Sequence, residues 1–266
     1  MKKYLGLALT LAAVVAAGAA PWLTPHDPLR ADFVQSLKPP GTPGHVLGTD
    51  QLGRDLLSRV LHGARLALFI GVCTVLVTAV VGGLVGLVAG FVERWPSAVL
   101  MRIADVQLSF PFILLALTIN AIVGLGLRNI ILSLSAAGWV VYARVVRGEV
   151  LSVKQRDFVH AAAALGVGRV RLLVRHVLPN VAPSIIVVAS LQFSQFIVAE
   201  AAISFLGFGI QPPTPAWGSM LSESRDFLYV AWWLAAFPGL ALALTALGVN
   251  LLGDWLRDTL DPKLRV

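Results

Sequence analysis

Apolar residues in this chain fall in long unbroken runs, not in the alternation of a half-buried strand or the narrow stripe of a soluble helix. Six runs, 4–23, 66–92, 99–122, 130–146, 181–207 and 228–252, approach or exceed the ~20 residues that a helix needs to cross a bilayer. Only the short turn GLGLRN (124–129) separates the third from the fourth, which predicts a tight helical hairpin. The first run has a basic start at Lys2 and Lys3 and an Ala-Gly-Ala ending, features shared with cleavable signals. It reads as an uncleaved span, because its apolar stretch exceeds the ~7–15 residues of a signal core. The expected layout is a span at 1–23, an external loop with a short amphipathic helix at 24–65, a core of five spans at 66–253 and a cytoplasmic tail at 254–266. The core includes a cytoplasmic loop at 147–180.

Composition agrees with a membrane class. Charged residues make up 13% of the chain, against about 25% in a soluble domain. The net charge of +7 suits basic loops facing the cytoplasm and anionic lipid better than nucleic acid. With the N-terminus inside, 14 of the 21 Lys and Arg residues fall on the cytoplasmic side, including Arg94, Lys263 and Arg265. Both termini are therefore expected in the cytoplasm, and so is 157–180. Cys73 is the single cysteine, so no intramolecular disulfide forms and a packed thiol is expected. Along the second run Thr74, Thr78, Gly82, Gly86 and Gly90 recur every fourth residue, a face that lets another helix approach closely.

The stretch DFVHAAAALGVGRVRLLVRHVLPN (157–180) is too charged to span lipid and too rich in alanine for a slack loop. Asp157 is placed to cap a helix over 158–165, Gly166-Val167-Gly168 breaks it, and a second helix over 169–178 is expected to stop at Pro179. In the second helix Val170, Leu173, Val174 and Val177 share one face, with Arg171 and Arg175 on another. Such a basic amphipathic helix suits a bed of lipid headgroups. The alanine run favours a protein groove instead, since alanine offers little side chain to bury in lipid.

Elsewhere, Asp50 is a candidate cap for the short external helix, Asp55 and Arg59 form an i,i+4 pair, and Trp217 is placed to anchor at the interface. Asp105 lies one turn from Arg102, which predicts local pairing. Glu200 either faces a pathway or makes a polar contact. The five histidines, His26, His45, His62, His160 and His176, are dispersed and predict no metal cluster. No lysine follows a glycine, so a phosphate-cradling Gly-Lys-Ser/Thr loop is absent, and no nucleophile–base arrangement stands out. The chain is not expected to be an enzyme by itself.

The 157–180 stretch resembles the signature loop of bacterial ABC-importer permeases, written EAA, three residues, G, nine residues, I, one residue, LP. Ala161, Ala162, Gly166, Leu178 and Pro179 stand at its spacing, while His160 replaces Glu and His176 replaces Ile. A literal EAA at 200–202 is a decoy in apolar surroundings, with Leu206 where the glycine is required. The stretches GTDQLGRDLLSRVLHGARLAL (48–68), SFLGFGIQPPTPAWGSML (204–221) and NLLGDWLRDTLDPKLR (250–265) resemble the dipeptide/oligopeptide/nickel branch, specifically the second permease of the pair.

The resemblance implies an all-α integral membrane fold of type I ABC importers, with six transmembrane helices and a cytoplasmic coupling helix–turn–helix between the fourth and fifth. It implies that Asp157, His160, Ala161, Ala162, Leu165, Gly166, Arg169, Leu178 and Pro179 dock and couple an ATPase. It implies a heterodimer with a homologous permease, two cytoplasmic subunits that bind ATP and Mg, an extracytoplasmic substrate-binding protein, surrounding lipid, and no cofactor, metal or nucleic acid in this chain. The expected setting is the bacterial inner membrane and the expected cargo is peptides or nickel complexes. An ion-driven secondary transporter is the rival. It requires a charged or broken-helix site at mid-membrane, for which Pro111 and Pro238 are candidate breaks. A membrane-anchored assembly protein without a pathway is the third reading.

Overall fold

Backbone groups in lipid must be satisfied within their own segment, which leaves a lone apolar run no alternative to the helix. The computed structural model describes residues 2–92 and 95–260, and among these no strand exceeds an isolated bridge. Arg94, Asp261, Lys263 and Arg265 lie outside the described residues. The helices are α1 (Lys2–Leu23), α2 (Leu56–Phe91), α3 (Trp95–Leu108), α4 (Phe112–Val123), α5 (Leu127–Lys154), α6 (Asp157–Ala164), α7 (Arg169–Leu172), α8 (Leu178–Phe205), α9 (Trp217–Glu223) and α10 (Trp233–Leu260). Among the described residues five helical segments are long and apolar enough to cross a membrane, and α3 with α4 together form a bent pair that meets the same length and composition.

That bend corrects the third predicted run. The axis turns by 92° between α3 and α4. Pro111 offers no N–H to the ladder and disfavours a helical conformation at Phe110, so the helix closes with Ser109 and Phe110 bonding to Val106 and Gln107. Gln107 then ties the bent span to α5: its amide donates to the Ala136 and Ala137 carbonyls and accepts from Trp139 Nε1 at 2.8 Å. The turn between α4 and α5 is shorter than expected: Gly124-Leu125-Gly126 makes it, Leu127, Arg128 and Asn129 already belong to α5, and the two helices pack on each other. Pro238 does not break α10, because it falls in the first turns, where few backbone bonds are lost.

The predicted surface helix before residue 66 is a second correction. Residues 56–65 are the first turns of α2, whose 36 residues extend about 54 Å. Its cap is Asp55, whose Oδ2 accepts from the Ser58 N–H at 2.8 Å. Asp50 caps no helix. It sits in the preceding loop, accepting from the backbone of Leu52 and Arg54 and from Arg54 Nε at 2.6 Å. Arg59 turns away from Asp55 to Asp50 (3.5 Å) and to Glu223 (3.3 Å), and Arg54 also reaches Glu223 (3.0 Å). The three buried charges Asp50, Arg54 and Arg59 and the partly buried Glu223 form a cluster that locks the 24–55 loop to α9. Beside it Trp217 is 2% exposed and donates to the Val60 carbonyl, so it is a packing residue and not an interfacial anchor.

The stripe on α2 packs against α5 as its spacing predicts. A Cβ on Gly82 would lie 2.2 Å from the Trp139 carbonyl oxygen, and one on Gly86 2.6 Å from that of Ala143. Gly83, one position along, would meet only Ile185 at 3.9 Å. Gly82→Ala is therefore expected to cost about 1–3 kcal/mol by forcing the helices apart, and Gly83→Ala to be near neutral. Thermal unfolding of the two variants in detergent checks the contrast, and equal midpoints would refute it. At the periphery α1 lies on α10 through Gly6 and Gly248, each abutting the other helix's backbone.

Other pairings also differ from the sequence expectation. Asp105 pairs with Arg144 on α5, not with its neighbour Arg102, because the bent span lays α3 across that helix. Glu200 makes the polar contact: its carboxylate accepts from Ser204 Oγ at 2.7 Å, and Ser204 Oγ in turn accepts from the Ile210 N–H. Both side chains are buried and pin the loop that follows α8.

Candidate functional site

The bundle has two unlike ends. One carries the 24–55 loop and α9, and the other carries the hairpin of α6 and α7. At the hairpin end α6 begins with Asp157 in its first turn, where a negative charge favours the helix dipole. Asp157 makes no capping hydrogen bond, because the cap position is Arg156, one residue earlier than predicted. The alanine run forms the helix, and it ends in a Schellman closure. Gly166 adopts φ +81°, its N–H bonds to the Ala163 carbonyl at 3.0 Å, and the Val167 N–H bonds to Ala162 at 3.2 Å. A left-handed residue is required at this turn, and glycine adopts it without a Cβ penalty.

The second half of the hairpin differs from the prediction. Helix does not stop at Pro179; Arg169–Phe205 runs on as a single 37-residue segment. The missing N–H of Pro179 is absorbed by a π-helical turn at Leu173–Val177, in which the Leu178 N–H bonds to the Leu173 carbonyl. Asn180 Nδ2 donates to the His176 carbonyl at 2.7 Å, covering part of the opened ladder. The wider turn also shifts the helical phase. The buried residues are Leu172 and Val177, while Val170 and Val174 of the predicted apolar face are exposed.

These turns root the hairpin in a core of their own. Val159, Ala162, Leu172 and Val177 pack with Leu87 of α2 and with Val146, Val150 and Val153 of α5. Outward, Ala161 and Leu165 share one face of α6, and Leu165 is 86% exposed with Val170 beside the turn at 77%. The structure thus brings His160, Ala161, Leu165, Gly166 and Arg169 to an exposed tip. Ala162 and Leu178 lie against the core, so they hold the hairpin in place. Pro179 lies elsewhere, in the wall of a groove.

That groove, about 840 Å³, opens between α5 and α8 at the hairpin end, with Arg257 of α10 at its rim. Glu149, Ser152, Arg156, Asn180 and Gln192 give it a polar lining among valines and prolines. Sequence reading assigned no residue to a pathway. The available signal was Glu149, an acidic group just beyond the fourth run, but only the side-by-side placement of α5 and α8 turns it into part of a wall.

At the opposite end the structure assembles a group that the sequence reading missed. His26, His45 and Asp55 place one donor atom each within 4.8 Å of one another, although 29 positions separate the first from the last. The folded 24–55 loop brings them together, which residue spacing alone does not reveal.

A bundle of apolar helices with a hairpin at one end and a polar groove between its spans is the architecture of a multi-pass membrane protein. Residues 82–266 match the family described as binding-protein-dependent transport system inner membrane component. The chain belongs to that family: it is an inner-membrane permease subunit of a binding-protein-dependent ABC importer. It is 45% identical over 267 residues to the di/tripeptide transport system permease protein DppC of Pseudomonas aeruginosa, covering 98% of this chain and 88% of that one. The glutathione transport system permease protein GsiD of Pectobacterium atrosepticum is 42% identical, covering 92% of this chain and 82% of its own length. The dipeptide transport system permease protein DppC of Alkalihalophilus pseudofirmus is 40% identical, covering 98% of this chain and 85% of its own. Membership sets aside the ion-driven reading and agrees with a non-catalytic membrane component.

Proposed function

We propose that this chain forms one half of the pathway of an ATP-driven peptide importer, and that the 157–180 hairpin is where a separate ATPase subunit grips it. The observation that carries this reading is the hairpin's two-sidedness. Its inner side is rooted in the ends of α2 and α5, and its outer side is bare at Ala161, Leu165 and Val170. Because α7 continues without a linker into α8, a push on the tip moves that span as a rigid element, and the groove wall with it.

Peptide cargo is supported by the relatives, which are named for di/tripeptide, dipeptide and glutathione transport. A homologous permease completes the pathway from the groove side as a heterodimer. Two ATPase subunits hold ATP and Mg, and a substrate-binding protein delivers cargo at the loop end. The distribution of Lys and Arg supports cytoplasmic N- and C-termini.

Reconstitution of the chain with its partner permease, ATPases and binding protein into vesicles tests the whole reading. Uptake of a dipeptide is expected to require ATP and to survive collapse of ion gradients; uptake on a gradient without ATP would overturn it. Orientation has a separate test. Val170→Cys in a Cys73→Ser background is expected to react with a membrane-impermeant maleimide in inverted vesicles only. Labelling in intact cells would reverse the topology and remove the docking role.

A further inference from the structure

Asp55 spends only one of its oxygens on capping α2. Oδ2 accepts from the Ser58 N–H at 2.8 Å and from Ser58 Oγ at 2.7 Å. Oδ1 faces the other way, 2.9 Å from His45 Nδ1 and 3.8 Å from His26 Nδ1. The carboxylate is fully buried, His45 is 12% exposed and His26 is 42% exposed. The two imidazoles stack with centroids 4.7 Å apart and planes 28° from parallel. One Nδ1–H satisfies Oδ1. The second ring is then held against the same oxygen at 3.8 Å, beyond hydrogen-bond reach. Two imidazoles beside one buried carboxylate oxygen are poorly used as a hydrogen-bond pair, and they become a ligand set once His26 turns out of the stack so that both ring lone pairs converge.

We propose that His26, His45 and Asp55 form a binding site for a divalent transition-metal ion of the kind that imidazole prefers, with zinc as the representative. Two imidazole nitrogens and one carboxylate oxygen are a donor set that suits zinc and leave a coordination position for water. Metal–donor distances of about 2.0–2.2 Å place donor atoms roughly 3.0–3.6 Å apart. The present separations, all within 4.8 Å, reach that range when the exposed His26 ring moves inward and rotates out of the stack. His26 is also the ring open to solvent, so it supplies the entry path. Binding releases the proton that His45 shares with Asp55. The ion cross-links the chain just after α1 to the 24–55 loop and to the first turn of α2. It sits at the end of the bundle away from the docking hairpin and does not depend on the ATPase reading.

Titration calorimetry with zinc chloride on the full chain, purified in detergent with no affinity tag remaining, tests the site. One saturable equivalent is expected, together with a raised thermal midpoint. His26→Ala is expected to weaken binding at least about tenfold. His45→Gln is expected to do the same while keeping a donor to Asp55 and an unchanged midpoint without zinc. His62→Ala, nearly two turns inside α2 and outside the cluster, is expected to bind as the parent does. Absence of saturable binding by the parent below millimolar zinc overturns the site, as does parent-like binding by His26→Ala.

Discussion

Leu165→Asp is expected to leave the subunit folded and inserted, yet to weaken ATPase docking about 30-fold and abolish substrate-stimulated ATP hydrolysis. The side chain is 86% exposed and touches none of the hairpin's core, so within the chain itself the change is close to free. Its effect therefore reports on a partner. An apolar knob seated in a groove is a typical interface anchor, worth about 2 kcal/mol, and burying an aspartate in its place adds a desolvation cost. Leu165→Met keeps the apolar surface and should retain most of the stimulation. Gly166→Trp attacks the same tip by another route. Nothing lies within 4 Å of a Cβ there, but the residue sits at φ +81°, so the substitution strains the closure and adds bulk where a partner would approach. Co-purification of the ATPase, with hydrolysis measured in the presence of loaded binding protein, checks the series. Undiminished stimulation in Leu165→Asp would remove the hairpin from the coupling path.

Asp50→Ala is expected to be the most destabilising single change at the loop end, by about 3–5 kcal/mol. Asp50 is 3% exposed, and Arg54 and Arg59 are 2% and 1% exposed. Removing the carboxylate leaves Glu223 as the remaining acidic partner of two buried guanidiniums, and Arg59 Nη1 is already without a hydrogen bond. Backbone donors at Leu52 and Arg54 lose their acceptor as well. Glu223→Gln should cost less, since that side chain is about a fifth exposed and glutamine retains an acceptor. Adding Arg54→Met to Asp50→Ala should recover part of the loss by removing an uncompensated charge. Thermal midpoints and the yield of folded chain in detergent measure the order. An Asp50→Ala variant as stable as the parent would show that the cluster contributes little.

What was legible in the sequence were features that depend on neighbours along the chain. Five of the six apolar runs appear as helices near the expected positions, because a run of that length has one way to satisfy its backbone in lipid. The Gly166 turn was legible for the same reason: a short alanine helix followed by glycine closes locally. The Gly82 and Gly86 face was legible as a site of close approach, though not which helix approaches. The motif residues of the hairpin came from its resemblance to the permease signature loop, but the roles of Ala162, Leu178 and Pro179 separate only once the core beneath them is seen.

Pro111 was legible as a candidate break, but the residues on both sides are apolar, so hydrophobicity alone reads the run as one straight span and gives no sign of a 92° bend. Partner choice was also hidden. Asp105 bonds Arg144, 39 positions away, and Arg59 bonds Glu223, 164 positions away, where a local reading selects Arg102 and Asp55. The face of the helix after Gly168 was only half legible: Leu173 and Val177 pack inward as expected, but the π turn over Leu173–Val177 sets Leu172, five positions before Val177, on the buried side while Val170 and Val174 are exposed.

By itself the sequence determined the membrane class, the helical elements and the position of the hairpin, since these follow from backbone satisfaction, side-chain transfer and local turn chemistry. Only the tertiary structure decided which charges pair, which face of the hairpin is bare, that α5 and α8 enclose a polar groove, and that His26 and His45 meet Asp55. Each of these depends on where segments remote in sequence come to rest, and local propensity carries no term for that.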